Sequence, residues 1–272
     1  MFVFVGVYYW PARWISIARP SRRIVIYNTH KLADLHVFLK RVGRGDPANC
    51  DIVFASDALK AASGLPGTVE ESPIDIAQFY PASKPPGPFT IGRLSRDTSD
   101  KFHPDDAAFL SALACHGDRV RIMGGTVLQS GIVAGAVELL PACAETSVDF
   151  LTSLDCFYYR THPDWQEAFG RVVFEAMACG IPVVCEARGG YASHIHSGDN
   201  GFLFETEAQA AEQIAALRAD PALRARIGAA GRRTVEVMYG AEYQARLRQF
   251  YLRSGPLQAE RHFSFADVAE RS

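Results

Sequence analysis

Short apolar, β-branched runs that alternate with helical patterns constrain this chain more than any other feature. Strand-length runs recur at 2–9 (FVFVGVYY), 24–27 (IVIY), 52–55 (IVFA), 89–91 (FTI), 119–123 (RVRIM), 156–159 (CFYY) and 182–185 (PVVC). Continuous apolar runs of this length read as strands buried on both faces, the habit of parallel sheets. Helical periodicity accompanies them at 104–115, 171–179, 207–218, 221–237 and 241–252. The repeated order is β then α, so the class is α/β, doubly wound around a parallel sheet. The segment 81–88, PASKPPGP, is dense enough in Pro and Gly to be a linker. It predicts a small α/β domain over 1–85, a larger one over 86–254, and a polar tail over 255–272 that is either a terminal helix or disordered.

Charge narrows the ligands. The chain has 272 residues with 28 basic and 30 acidic side chains, a formal charge of -2. No basic excess exists to neutralise a polyphosphate backbone, so general nucleic-acid binding is excluded and any bound phosphate belongs to a small ligand. The six cysteines form no C-x-x-C pair and no zinc spacing. Cys179 and Cys185 lie in apolar runs and read as small buried hydrophobes of a reduced, cytoplasmic protein. The start, MFVFVGVYYW, is apolar but stops at Pro11 and Arg13 and lacks a basic leader region, so it reads as a buried strand.

Neither Gly124-Gly125 nor Gly189-Gly190 continues into G-x-G-x-x-G. No P-loop, H-E-x-x-H, G-x-S-x-G or D-x-D triplet is present. Phosphate binding must then use backbone amides, a helix N-terminus and basic side chains.

The most informative stretch is 162–185, HPDWQEAFGRVVFEAMACGIPVVC, read as loop, helix, tight turn and strand. Gly170 opens a helix over about 171–179, Gly180 stops it, and Pro182 opens the next strand. The helix N-terminus therefore faces the carboxyl edge of the sheet, where an open α/β fold binds ligands, and its free N–H groups suit a diphosphate. Glu167 precedes the helix and Glu175 lies about one turn inside it. Carboxylates so placed can flank the anion and accept hydrogen bonds from sugar hydroxyls.

E-A-F-G-R-V-V-F-E-A-M-A-C-G-I-P-V-V resembles the E-x7-E signature of retaining glycosyltransferases of family 4 type, with Glu167 and Glu175 as its two acids. IGRLSRDTSDK (91–101) is similar to that family's strand with G-R-L and a following Lys, and GGYASHIHSGDNGFLF (189–204) to its G-G block. DIVFASDALK and SPIDIAQFYP are similar to further family segments, in the family's order from about residue 24 to 240. The resemblance implies the GT-B fold: a Rossmann-like, parallel-sheet C-terminal domain that binds a nucleotide-sugar donor, and a smaller, truncated Rossmann-like N-terminal domain on the acceptor side. It implies sugar transfer with retention. Catalytic roles would fall on Glu167, Arg93, Lys101 and His30, with Arg93 and Lys101 on the donor diphosphate and His30 facing the sugar. Donor binding would fall on Gly92, Phe169, Gly170, Arg171 and Glu175, the last on the ribose hydroxyls. No metal or cofactor is implied beyond the nucleotide sugar, which is a substrate. Ser193 stands where the G-G block commonly carries Glu, and the glycine-rich loop that the family places near its N-terminus has no counterpart.

Plainer readings stand beside these. Lys101 is as readily a surface charge, His30 a strand-end histidine, and Trp165 and Phe169 packing residues. Tyr8, Tyr9 and Trp10 are either packing residues or an acceptor- or membrane-facing patch. The acceptor, whether glycan, lipid or small molecule, is not encoded in any motif. A short first lobe with an apolar start predicts cover by a homo-oligomer, a partner chain or a membrane surface, hence a cytoplasmic protein peripheral to a membrane. An inactive nucleotide-sugar-binding module or partner subunit is the alternative, and a GT-B epimerase a third reading.

Overall fold

The computed structural model describes residues 1–7, 20–29, 31–42, 50–84, 86–133 and 135–253. His30, Tyr8, Tyr9, Trp10 and the tail expected over 255–272 lie outside the described residues. The chain divides into two compact units: Met1–Ser72 with Glu167–Phe169 and Ala245–Ser272, and Pro73–Gln166 with Gly170–Gln244.

The first unit is built on a parallel sheet of β1 (Phe2–Val5), β2 (Arg23–Tyr27), β3 (Cys50–Phe54) and β4 (Thr68–Val69), in spatial order β1-β2-β3-β4. Phe2 lies opposite Arg23, and Arg23 opposite Cys50. Parallel neighbours need crossovers. α1 (Leu32–Val42) supplies one between β2 and β3, and α2 (Asp57–Ser63) another between β3 and β4. Ser56 caps α2 by accepting from the Leu59 N–H at 3.3 Å. Ile24, Val25 and Tyr27 of β2 and Val53 and Phe54 of β3 are fully buried. β1 corrects the expectation of a buried strand over 2–9. Among the described residues it is an outer strand, and its burial alternates, with Val3 and Val5 41% and 65% exposed.

The second unit contains β5 (Thr90–Leu94), α3 (Asp106–Cys115), β6 (Arg119–Met123), β7 (Val137–Leu140), α4 (Ser147–Thr152), β8 (Cys156–Tyr159), α5 (Arg171–Ala178), β9 (Val183–Glu186), β10 (Phe202–Phe204), α6 (Glu207–Ala219) and α7 (Pro221–Met238). Its six strands are all parallel and lie in the order β10-β9-β8-β5-β6-β7. Two halves wind outward from the adjacent pair β5 and β8, the doubly wound 3-2-1-4-5-6 order whose switch point opens a crevice at the carboxyl ends of that pair. Ile91, Ile122, Tyr158 and Val184 of the sheet pack under Phe109 and Leu113 of α3 and Ile214 and Leu217 of α6.

The Pro-rich linker lies with the second unit, and the division falls earlier, between Ser72 and Pro73. The reason is local. Arg232 of α7 donates to the carbonyls of Phe79 at 2.6 Å, Ile76 at 3.3 Å and Ala178 at 2.8 Å, binding the stretch to the end of α5. Lys84 bonds Thr90 Oγ1 at 2.9 Å and pairs with Asp155. A further helix, α8 (Ala241–Leu252), contributes its second half to the first unit. There Arg22 donates to the Phe250 carbonyl at 2.6 Å and to Asp51 at 2.7 Å, and Tyr251 donates to Glu70 at 2.7 Å. No helix among the described residues is long and apolar enough to cross a membrane.

Candidate functional site

At the switch point, β5 runs into the loop that starts at Ser95 and β8 into the loop 160–170. The first loop is fastened to its neighbour across the sheet edge. Asp97 accepts from Thr126 Oγ1 at 2.5 Å and from the Val127 N–H at 3.0 Å. Ser95 N–H donates to the Met123 carbonyl at 3.0 Å. The fit leaves no room at Gly124, where a Cβ would lie 1.9 Å from the Ser95 oxygen.

Beneath these loops sits a buried ion cluster. Asp106, in the first turn of α3, is fully enclosed and accepts from Arg160 Nε at 2.6 Å, Arg93 Nη1 at 3.1 Å, the His103 N–H at 2.9 Å and the Tyr158 hydroxyl at 3.2 Å. Two guanidinium groups and two neutral donors satisfy the one carboxylate, which is the condition under which a buried charge is tolerated. Burial, and then the Asp106 charge, push the Tyr158 hydroxyl well above its ordinary value. Arg93, expected at the diphosphate, is 0% exposed. Its guanidinium lies 4.3 Å from the Phe102 ring centroid and 4.8 Å from that of Tyr159, and it donates to the Lys101 carbonyl as well as to Asp106. Arg93 is thus a strut under the loop that carries Lys101.

Lys101 closes a 3₁₀ turn, Ser99–Lys101, and its Nζ lies 4.4 Å from the centroid of the Trp165 ring. The Arg96 guanidinium lies 5.5 Å from the same ring. Trp165 therefore gathers cations from the β5 loop onto the β8 loop. The β8 loop is held in turn by Arg188, which donates to the carbonyls of Pro163 at 2.8 Å, His162 at 3.1 Å and Thr161 at 3.2 Å and pairs with Glu186 at 3.0 Å. Arg188, Asp106, Arg160 and Arg96 were not singled out from sequence. Asp106 and Arg160 meet partners far along the chain, and Arg188 and Arg96, beside the nearer Glu186 and Asp100, also reach the 161–163 carbonyls and the Trp165 ring, contacts that no local pattern marks.

α5 starts at Gly170, whose φ of 88° is left-handed and favours glycine, and no side chain caps the helix. Its first-turn N–H groups retain the positive end of the helix dipole. Glu175 is 6% exposed and accepts from Arg171 at 2.9 Å. Burial raises its carboxyl above the ordinary value, and Arg171 opposes that rise. Gly92 is a packing position, since a Cβ there would lie 2.4 Å from Leu154. The structure thus brings Lys101, Gly170, Arg171 and Glu175 to one edge of the second unit, with Arg93 beneath. Glu167, half-buried, and Phe169, 3% exposed, count with the first unit. Cys179 and Cys185 are buried, as read from their apolar runs, Cys156 is buried as well, and burial pushes the Cys179 thiol up to about 12. Among the described residues no group of His, Cys, Asp or Glu is placed to hold a metal ion.

Residues 134–234 match the family described as Glycosyl transferases group 1, a span that runs from the start of β7 into α7. Spore coat protein SA of Bacillus subtilis is 40% identical over 79 residues, 28% of this chain and 21% of the relative. A GDP-mannose-dependent alpha-mannosyltransferase of Mycolicibacterium smegmatis is 30% identical over 177 residues, 60% of this chain and 45% of the relative. The chain spans less than half the length of these curated relatives. The crystal structure of Anabaena Alr3699/HepE in complex with UDP is similar with a TM-score of 0.69 at 19% identity, over 84% of this chain and 71% of that one. The fold is GT-B, with two parallel-sheet, Rossmann-like domains.

Proposed function

We propose that this chain transfers a sugar from a nucleoside-diphosphate sugar to an acceptor hydroxyl, with retention at the anomeric carbon and without a metal ion. The observation that carries the reading is the carboxyl edge of β5 and β8, where Lys101 packs on Trp165 of the β8 loop and that loop leads into the uncapped start of α5, one turn before the buried carboxylate of Glu175. Cations and helix amides complement a diphosphate, and a carboxylate acceptor complements ribose hydroxyls. The similarity to a UDP-bound structure and to a GDP-mannose-dependent enzyme supports a diphosphate as the shared part of the donor.

In the reaction the bond between the sugar C1 and the β-phosphate oxygen breaks, and the acceptor oxygen bonds to C1 on the same face. The acceptor proton passes to the departing phosphate oxygen. Negative charge grows on that leaving group, so fixed positive charge helps the transition state more than the ground state. Lys101 and the α5 amides supply it. This is why a divalent ion is dispensable in the proposal. Retention rests on the resemblance of the Glu167–Glu175 segment to retaining enzymes.

The test is a panel of UDP-, GDP- and ADP-sugars screened by thermal shift, followed by a transfer assay with excess chelator. A donor at a hundred times its dissociation constant should stabilise the protein by about 2.7 kcal/mol. Turnover should survive chelation. Binding without turnover on any acceptor supports the inactive-module alternative, and failure to bind any nucleotide sugar removes the reading.

A further inference from the structure

We propose that Arg96, with Lys101, forms the cation pair that meets the donor diphosphate, and that Trp165 is the positioning residue that sets both cations. This rests on the glycosyl-transfer reading above and names the groups that would carry it. Arg93 cannot reach a ligand without leaving a buried carboxylate behind, because Asp106 and the Lys101 carbonyl hold its enclosed guanidinium. Arg96 is three residues further on, past the carboxyl end of β5, with a side chain 61% exposed. It pairs with Asp100 at 3.4 Å, a long and exposed contact of the kind that contributes little. Its guanidinium is therefore available to a phosphate, which it can bind through two parallel N–H groups.

The Trp165 ring lies near both cations, and an indole ring attracts a cation through its quadrupole. Lys101 is 7% exposed, so its ammonium has shed much of its water and gains most from such a surface. Trp165 is itself fixed through its backbone. Its N–H donates to the His162 carbonyl at 2.9 Å, its carbonyl accepts from Thr161 Oγ1 at 3.0 Å, and Arg188 secures 161–163.

The experiment titrates the full chain and its variants Arg96→Ala, Trp165→Leu and Trp165→Tyr with UDP, GDP and ADP, each beside its nucleoside. Arg96→Ala should weaken binding of the preferred diphosphate about tenfold or more. Trp165→Leu should weaken it about three- to tenfold, and Trp165→Tyr, which restores an aromatic face, should recover most of that loss. Nucleoside affinity should stay within about twofold in all three, because the nucleoside carries no diphosphate. Unchanged diphosphate affinity in Arg96→Ala overturns the cation assignment. Equal loss of diphosphate and nucleoside in Trp165→Leu, or no loss, overturns the positioning role. If the unaltered chain binds none of the three diphosphates, the functional reading fails and this assignment with it; if it binds one and the variants bind it equally, the assignment fails alone.

Discussion

Glu175 illustrates a residue whose position opposes stability. It is 6% exposed, and burial raises its carboxyl above the ordinary 4.5, with the exposed Arg171 giving back only part of the lost hydration. The sign follows from proton counts. Between 4.5 and the raised value, the folded chain holds a proton that the unfolded chain has released, so stability from this group falls as pH rises through that window. Above it, the folded state carries an ionised carboxylate at a cost that the unfolded state does not bear. Glu175→Gln should therefore match or exceed the parent in melting temperature at pH 7, and the fall in stability above pH 4.5 should flatten. The same change should weaken nucleoside-diphosphate binding, since an amide is a poorer acceptor for ribose hydroxyls than a carboxylate. Melting curves from pH 4 to 8 with a parallel titration check both halves. A variant that melts lower at pH 7 would show that the Arg171 pair outweighs the desolvation. Arg93 shows why sequence stops short at this scale: G-R-L presents an arginine at a strand end, but its direction is decided by Asp106, thirteen positions on, and by the Phe102 and Tyr159 rings that enclose it.

At the scale of elements, α5 is placed by its neighbour α7 as much as by its own sequence. Gly228 sits mid-helix in α7, where a Cβ would lie 2.0 Å from the Gly180 carbonyl oxygen at the turn after α5. Propensity alone favours Ala there by about 1 kcal/mol. The close approach opposes it, because backbone must move, and overpacking of this kind costs about 1–3 kcal/mol. Gly228→Ala should therefore lower stability in urea unfolding despite the better helix former. A rise would mean that the two helices separate without strain. The helices 104–115, 171–179, 207–218, 221–237 and 241–252 were legible within two residues at each end, and end signals such as Asp220 before Pro221 help where the apolar residues form no clear stripe, as in α3 and α6. The strands β7 and β10 were not. β7 is only part-buried along most of its length, and β10 has three residues, so neither shows the continuous apolar run that marked β8 and β9. The crevice itself was legible, because the order of β and α fixes where a doubly wound sheet opens. The Trp165 cluster was not, because it joins two loops through an indole face that no spacing rule encodes.

At the scale of the whole molecule, the strands differ in how deeply they are covered. β5 and β8 lie at the middle of a six-stranded sheet and are buried along their whole length. β1 is an outer strand with every second residue exposed. Amide hydrogens of β1 should therefore exchange early, through local opening, and those of β5 and β8 last, through loss of the second unit as a whole. Lys101, Trp165, Arg171 and Glu175 all belong to the second unit, so a nucleoside diphosphate bound by them should act on that opening first. At a hundred times its dissociation constant the ligand should add about 2.7 kcal/mol to the protection of β5 and β8. The amides of β1 should gain little, because fraying of an outer strand does not release the ligand and so is not opposed by binding. Hydrogen exchange with and without the preferred diphosphate checks this strand by strand. Equal gains in β1 and β5 would mean that β1 exchanges only when the site is lost, and the molecule would then open as one cooperative body.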